Sequence, residues 1–237
     1  YEIMPSLVGS EMCIRDSSDM SRFWMRQDLV VPHLVDYLTQ RCGVREDDIT
    51  IVIANGTHTG GDEAELRTLV TDAVYDRITV ENHNCDSDDL VYLGTTPHGT
   101  PVSIDRTAAE ADLVVCLGAV THHVMAGFGG GRKSILPGIS GRETIFHNHA
   151  FSLDAAQLRS NPAIGNGVLK GNPLHEDMCE AAGLVKNLFI VNLVMNAQMQ
   201  LAAILSGHYL TSWEAACRIV DRIYQVDVPE KADVIVA

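Results

Sequence analysis

Long apolar runs, paired cysteines and clustered basic residues are all missing from this sequence. No stretch of about 18 or more apolar residues occurs, so no transmembrane helix is encoded. Lys and Arg number 17 against 31 Asp and Glu, a formal net charge of −14. That balance makes a poor nucleic-acid binder, because affinity for phosphate backbones comes from clustered Lys and Arg. It also leaves no polybasic stretch for an anionic membrane surface. Solubility is the simplest use of so acidic a surface. The six cysteines (Cys13, Cys42, Cys85, Cys116, Cys179, Cys217) include no C-x-x-C pair, which argues against a structural zinc knuckle and a disulfide framework. A reducing, cytoplasmic setting fits them, and Cys116 reads as a small buried hydrophobe. Internal repeats and low-complexity stretches are absent too. What is present is globular in composition, 46% hydrophobic and 20% charged over 237 residues, enough for one large domain or two small ones.

The two ends stand apart. Residues 1–17 show neither helical nor strand periodicity and no signal-peptide pattern. Their 11–17 run resembles the translated adapter of a sequencing library, so they are expected to lie outside the fold, as an artefact or a disordered end. The other end stops inside the apolar run 232–237, which reads as an internal fragment of a longer protein.

Between them, periodicity alternates. Residues 24–41 read as an amphipathic helix in which Pro32 predicts a kink or a later start. Residues 48–54 form a β-branched run, hence a buried strand, and Asn55-Gly56-Thr57-His58 follow as a turn. Residues 62–77 read as a helix, acidic early and basic at Arg77, as the helix dipole favours. Strands are predicted over 78–80, 90–93, 102–104 and 113–117, with a turn at 108–111. Then come a helix over 172–182, strands over 188–194 and 200–205, and a helix over 212–224. This alternation predicts an α/β fold, a Rossmann-like layered domain with a largely parallel sheet, plus the beginning of a second α/β domain. The expected division is 18–185 for a catalytic, cofactor-binding domain and 186–237 for a linking segment and the start of the next. In such folds ligand loops follow the carboxyl ends of strands. Three polar loops do so here, at 55–61, 119–123 and 196–198.

The chemistry concentrates between His122 and His149. Residues 127–134, GFGGGRKS, approach the phosphate loop G-x-x-x-x-G-K-S but place Arg132 where that motif has glycine. The glycines let backbone N–H groups approach a ligand, with Arg132 and Lys133 adding positive charge. The plainer reading is a surface loop with two solvated cations, although Pro137-Gly138 fixes a turn just after it. Five of the ten histidines lie in three places: His58, His122 with His123, and His147 with His149. Imidazole serves as general acid–base near neutral pH and as a ligand for nickel, zinc or copper. Neighbours on a strand point apart, so His122 and His123 are expected to do different jobs. Upstream, Asp19-Met20-Ser21-Arg22 reads alone as a helix cap.

Together these elements resemble the lactate racemase family, whose members use a nickel pincer nucleotide. Asp19-x-Ser21-Arg22 is similar to the family's Asp-x-Thr-Arg loop, and Gly56-Thr57-His58 to its Gly-x-His loop. The block from His123 through Lys133 to Pro137-Gly138, followed by Thr144 and His149, is similar to its central motif in composition and spacing. The resemblance implies a pyridinium-3,5-bisthiocarboxylic acid mononucleotide joined covalently to Lys133, with nickel completed by His149. It implies His58 and His123 as acid–base partners, and Asp19, Ser21 and Arg22 as holding cofactor or substrate. The activity implied is racemisation or epimerisation of a small, lactate-like 2-hydroxy acid by hydride abstraction and return. Cofactor-synthesis enzymes would be partners, and nucleic acid and membrane would not. His122 and His147 are left with structural roles. The chain departs from the family pattern at Gly129, where a serine is usual, at Thr59, where a larger basic residue often stands, and at Ser21 for threonine. The family's substrate-contacting Gln and Lys would lie beyond Ala237, so the substrate is not specified. Two rivals are a truncated or degenerate nucleotide-binding relative without activity, and a zinc hydrolase using His58, His123 and His149. The latter gives Lys133 no role and lacks a ligating carboxylate.

Overall fold

A computed structural model describes residues 12–16, 20–226 and 230, with side chains from residue 23 onward. Its centre is a six-stranded sheet. The strands are β1 (Met12–Asp16), β2 (Ile49–Ile53), β3 (Thr79–Asn82), β6 (Leu113–Ala119), β11 (Leu188–Met195) and β12 (Leu201–His208). Outside the sheet lie a hairpin of β4 (Leu90–Thr95) and β5 (Pro101–Asp105) and two short pairs. The pairs are β7 (His122–His123) with β8 (Gly127–Phe128), and β9 (Leu153–Asp154) with β10 (Arg159–Ser160). The sheet order is β12-β11-β6-β1-β2-β3. Neighbours are parallel throughout except β12, which returns antiparallel on β11. The order reverses between β1 and β6, which is where ligands bind in open α/β sheets.

The apolar runs explain why the sheet is covered on both faces. Ile49, Ile51 and Ile53 of β2, with Val115 and Leu117 of β6, pack into one buried cluster. Helix α1 (Val31–Gln40), α2 (Glu63–Val70) and α3 (Asp72–Tyr75) close that side. Val52, Val114, Cys116 and Ile190 point the other way, into a second cluster. That side is closed by α5 (Arg142–Ala150), α6 (Pro173–Gly183) and the β4–β5 hairpin, which α4 (Arg106–Glu110) follows. Strands apolar on both faces show no alternation, as is usual for parallel sheets between helices. A third cluster surrounds fully buried Trp213 on α7 (Thr211–Tyr224).

Several expectations change. The exclusion of residues 1–17 from the fold does not extend to Met12–Asp16, which pair with both β2 and β6 at the middle of the sheet. Five residues are too few for a periodicity to declare itself. The expected start of a second domain at 186 falls inside this same sheet, because β11 runs parallel to β6 from Leu188 onward. β11 pairs with β6 along one edge and with β12 along the other, so its backbone hydrogen bonds are met inside this sheet. The helix expected over 24–41 starts only at Val31, after two 3-10 turns, with Pro32 in its first turn where no N–H is needed. The helix expected over 62–77 breaks at Thr71, whose φ of 78° is left-handed, although Asp62 and Glu65 form the capping box at its start. The turn expected at 108–111 is the helix α4. The loop 196–198 is a hairpin turn closed by Asn196 Oδ1 accepting from Gln198 N and Gln200 N at 2.9 Å. Among the described residues no helix is long and apolar enough to cross a membrane.

Candidate active site

The chain leaves β2 buried and turns at Asn55 and Gly56, the latter at φ 57°. The His58 N–H donates to Asn55 O at 3.0 Å and closes the turn, leaving the His58 side chain exposed at the rim. After β6 the chain runs through Thr121 into β7. There the two histidines part. His122 Nε2 meets Asp221 Oδ1 of α7 at 2.9 Å, and its ring lies 5.0 Å from that of Phe128. His123 faces the other way, into a cavity. Its Nδ1 accepts from the backbone N–H of Met125 at 3.2 Å and of Ala126 at 3.1 Å. Two donors on Nδ1 place the proton of the neutral ring on Nε2.

The glycine run serves packing as much as ligand approach. A Cβ at Gly131 would lie 2.4 Å from Trp213 Cδ1, and one at Gly130 2.7 Å from Ala119 O. The expectation that Arg132 adds charge to a ligand loop fails. Arg132 is 1% exposed, stacks 3.8 Å from the Trp213 ring centre and donates to Ala126 O at 2.7 Å and Phe128 O at 2.9 Å. Burial pulls its guanidinium down to about 10, still charged at neutral pH. Its Nε donates to His175 Nδ1 at 3.2 Å, and burial followed by the Arg132 charge lowers His175 to about 3. Arg132 therefore braces the loop from behind, and the next residue, Lys133, turns into the cavity.

His149 comes from α5, a helix the sequence reading did not anticipate. His149 Nδ1 donates to Ile145 O at 2.9 Å, which fixes the tautomer and leaves the Nε2 lone pair as the ligating atom. Burial lowers its pKa first, the neighbouring Lys133 charge adds to this, and the Ile145 bond opposes it. A histidine held neutral in this way is suited to bind a metal. His147 of the same helix is exposed and turned to Thr100 Oγ1 at 3.0 Å. That hydroxyl gives its one proton to Asp177 Oδ2, so it accepts from His147.

His58, His123, Lys133 and His149 thus line one cavity of about 350 Å³ at the carboxyl ends of β2 and β6. This volume lies at the small end of ligand pockets. Trp24 and Met25, which end the 3-10 turn begun at Met20, line it as well. Asp19 lies outside the described residues; Ser21 and Arg22 are described only as backbone of that turn. Two buried polar lining residues were not marked as site residues in the sequence, Asn55 and Ser134. Both are buried, and Asn55 Oδ1 and Ser134 Oγ meet no protein hydrogen-bond partner. Their only signal was position, one directly after a strand and the other directly after the lysine. Unmet polar atoms beside a buried lysine and a neutral histidine fit a polar, metal-bearing ligand. A zinc site of His58, His123 and His149 is not formed. Among the described residues the group with ligand atoms all within 4.8 Å of one another is His98, Asp177 and Glu180, elsewhere.

A family model described as the lactate racemase N-terminal domain matches residues 9–160. The chain is 32% identical over 209 residues to lactate racemase of Thermoanaerobacterium thermosaccharolyticum, covering 88% of this chain and 47% of that protein. It is 31% identical over 179 residues to lactate racemase of Lactiplantibacillus plantarum, covering 75% and 41%. The chain therefore spans about half the length of the curated relatives it matches. The lactate racemase apoprotein structure from T. thermosaccharolyticum superposes with a TM-score of 0.82 at 30% identity, over 91% of this chain and 50% of that one. A Thermotoga maritima protein at 20% identity shares the fold, with a TM-score of 0.72. With that match spanning both the His58 turn and the Lys133–His149 segment, the chain belongs to the lactate racemase family and carries its N-terminal domain.

Proposed function

We propose that the protein of which this chain is part racemises or epimerises a small 2-hydroxy acid with a nickel pincer nucleotide. The observation that carries this is the convergence of His58, His123, Lys133 and His149 on one cavity. Lys133 would hold the cofactor covalently and His149 Nε2 would ligate nickel, with Asp19, Ser21 and Arg22 assigned to cofactor or substrate by motif alone. When bound, the cofactor would supply reversible hydride-acceptor chemistry for C2 of the substrate. The protein's part is to orient the acid and move the hydroxyl proton. His123, with its proton on Nε2, would begin as hydrogen-bond donor to the substrate oxygen, and His58, exposed at the rim, would be the second acid–base group. Handling both enantiomers calls for acid–base groups on two elements, and β7 and the loop after β2 provide them.

The test is intact mass and metal analysis of the full-length protein co-expressed with cofactor-synthesis enzymes. The expected result is a covalent adduct on Lys133 and stoichiometric nickel. His149→Ala is expected to lose nickel while keeping the adduct. Zinc without an adduct would overturn the reading. An adduct without interconversion of enantiomers across a panel of small 2-hydroxy acids would favour the inactive nucleotide-binding relative.

A further inference from the structure

Six described residues carry a buried side-chain atom that no protein group meets, and two of them, Asn55 and Ser134, line the one cavity described above. Asn55 is 4% exposed and Ser134 1%. The orientation of Asn55 is settled by its donors. Nδ2 donates to His83 O at 3.2 Å and to Asn82 Oδ1 at 3.1 Å. A backbone carbonyl takes only a donor, so Oδ1 is the atom left over, and it can only accept. His83 is itself pinned, its ring nitrogens 3.0 Å from Asp105 Oδ2 and 3.0 Å from Ser140 O. The carboxamide therefore cannot turn over to hide its oxygen without breaking that chain of bonds.

The two residues share a wall. Gly56 N–H donates to Gly138 O at 2.9 Å, tying the Asn55 turn to the segment after Ser134. A Cβ at Gly138 would stand 2.3 Å from Ser134 O and 3.0 Å from Ala54 Cβ, so nothing larger than glycine lets the segments meet. A buried polar atom without a partner carries its desolvation penalty uncompensated, and in a native structure such atoms call for an explanation. A fixed acceptor and a hydroxyl that can donate or accept, on two residues lining the same cavity, match an aliphatic O–H on a ligand.

We propose that Asn55 Oδ1 and Ser134 Oγ form a hydroxyl-recognising subsite in this cavity, Asn55 accepting from the ligand hydroxyl and Ser134 bonding to the same group. The inference rests on the reading above, which puts two hydroxyl-bearing molecules there, a mononucleotide with its sugar and a 2-hydroxy acid. Both pair an aliphatic hydroxyl with an anionic group.

The experiment is calorimetric titration of the ligand-free, full-length protein with nicotinic acid mononucleotide and, separately, with L-lactate, alongside thermal melts. Ser134→Ala removes an unpartnered buried hydroxyl, so its ligand-free melting temperature is expected to hold or rise. Its affinity for one probe is expected to fall about fivefold to tenfold. Asn55→Leu is expected to weaken the same probe while melting lower, because it also loses the bonds to His83 and Asn82. Loss confined to the mononucleotide identifies a sugar hydroxyl, and loss confined to lactate identifies the substrate hydroxyl. Wild-type affinity for both probes in both variants overturns the subsite alone and leaves water as the partner of these atoms. A wild-type protein that binds neither probe overturns the mononucleotide reading and the subsite with it.

Discussion

Gly129 and Gly131 stand two residues apart and face opposite demands. Gly131 has φ 59°, and any Cβ there would meet the Trp213 ring at 2.4 Å. Gly131→Ala is expected to cost about 2–4 kcal/mol, combining backbone strain with a clash against a fully buried ring. Urea unfolding checks it, and a loss under about 1 kcal/mol would show that the Trp213 contact is soft. Gly129 has no such constraint. A Cβ there would meet Thr121 Cγ2 at 3.6 Å and Ala119 O at 3.7 Å, ordinary contacts. Gly129→Ser, the residue usual in the family, is expected to fold with stability within about 1 kcal/mol of the parent. The sequence showed three glycines in a row. Only the packed structure tells which of them touches a tryptophan 82 positions further on.

At the scale of elements, α5 shows how a site can rest on polar bonds. Its sequence, RETIFHNHA, has no apolar stripe, which is why periodicity gave no helix there. It is held by side chains. Thr144 Oγ1 donates to Pro101 O at 2.6 Å and accepts from Ser103 N at 3.0 Å. Asn148 Nδ2 donates to Leu174 O at 3.1 Å and to Asp177 Oδ2 at 2.7 Å. Asp177, fully buried on α6, also accepts from Thr96 at 2.6 Å and Thr100 at 2.9 Å. Asp177→Ala leaves three buried donors unpaired and is expected to cost about 3 kcal/mol or more. Amide hydrogen exchange is expected to speed up first in α5, the helix that carries His149. Uniformly faster exchange across the sheet would instead make Asp177 a general core residue.

For the whole molecule, two histidines set opposing pH dependences. His175 is lowered from 6.5 to about 3, chiefly by burial. The unfolded chain binds that proton more readily, so the contribution is complete above about pH 6.5 and is lost progressively as pH falls toward 3. His98 is raised above 6.5, chiefly by its bond to Glu180, and Asp177 and Glu176 add to this. Its contribution is present below 6.5 and fades as pH rises through its folded value. Melting temperature against pH is therefore expected to fall on the acid side. Replacing His175 by Phe, which keeps a ring against Trp213, is expected to flatten that acid limb. An unchanged acid limb would assign the loss to other groups.

The layering and the family membership were legible in the sequence. β2, β6 and β11 read as strands because β-branched, apolar runs fit a sheet buried on both faces. His58, His123, Lys133 and His149 stood out because the motifs that hold them resemble those of the lactate racemase family. The tertiary structure decided everything that depends on long-range contact. It placed Met12–Asp16 at the centre of the sheet and β11 beside β6, where a boundary had been expected. It turned Arg132 inward and Lys133 outward to the cavity, and gave Asn55 and Ser134 their unmet atoms. Local pattern encodes which residues prefer burial. Which partners they meet is set only when segments a hundred residues apart close on one another.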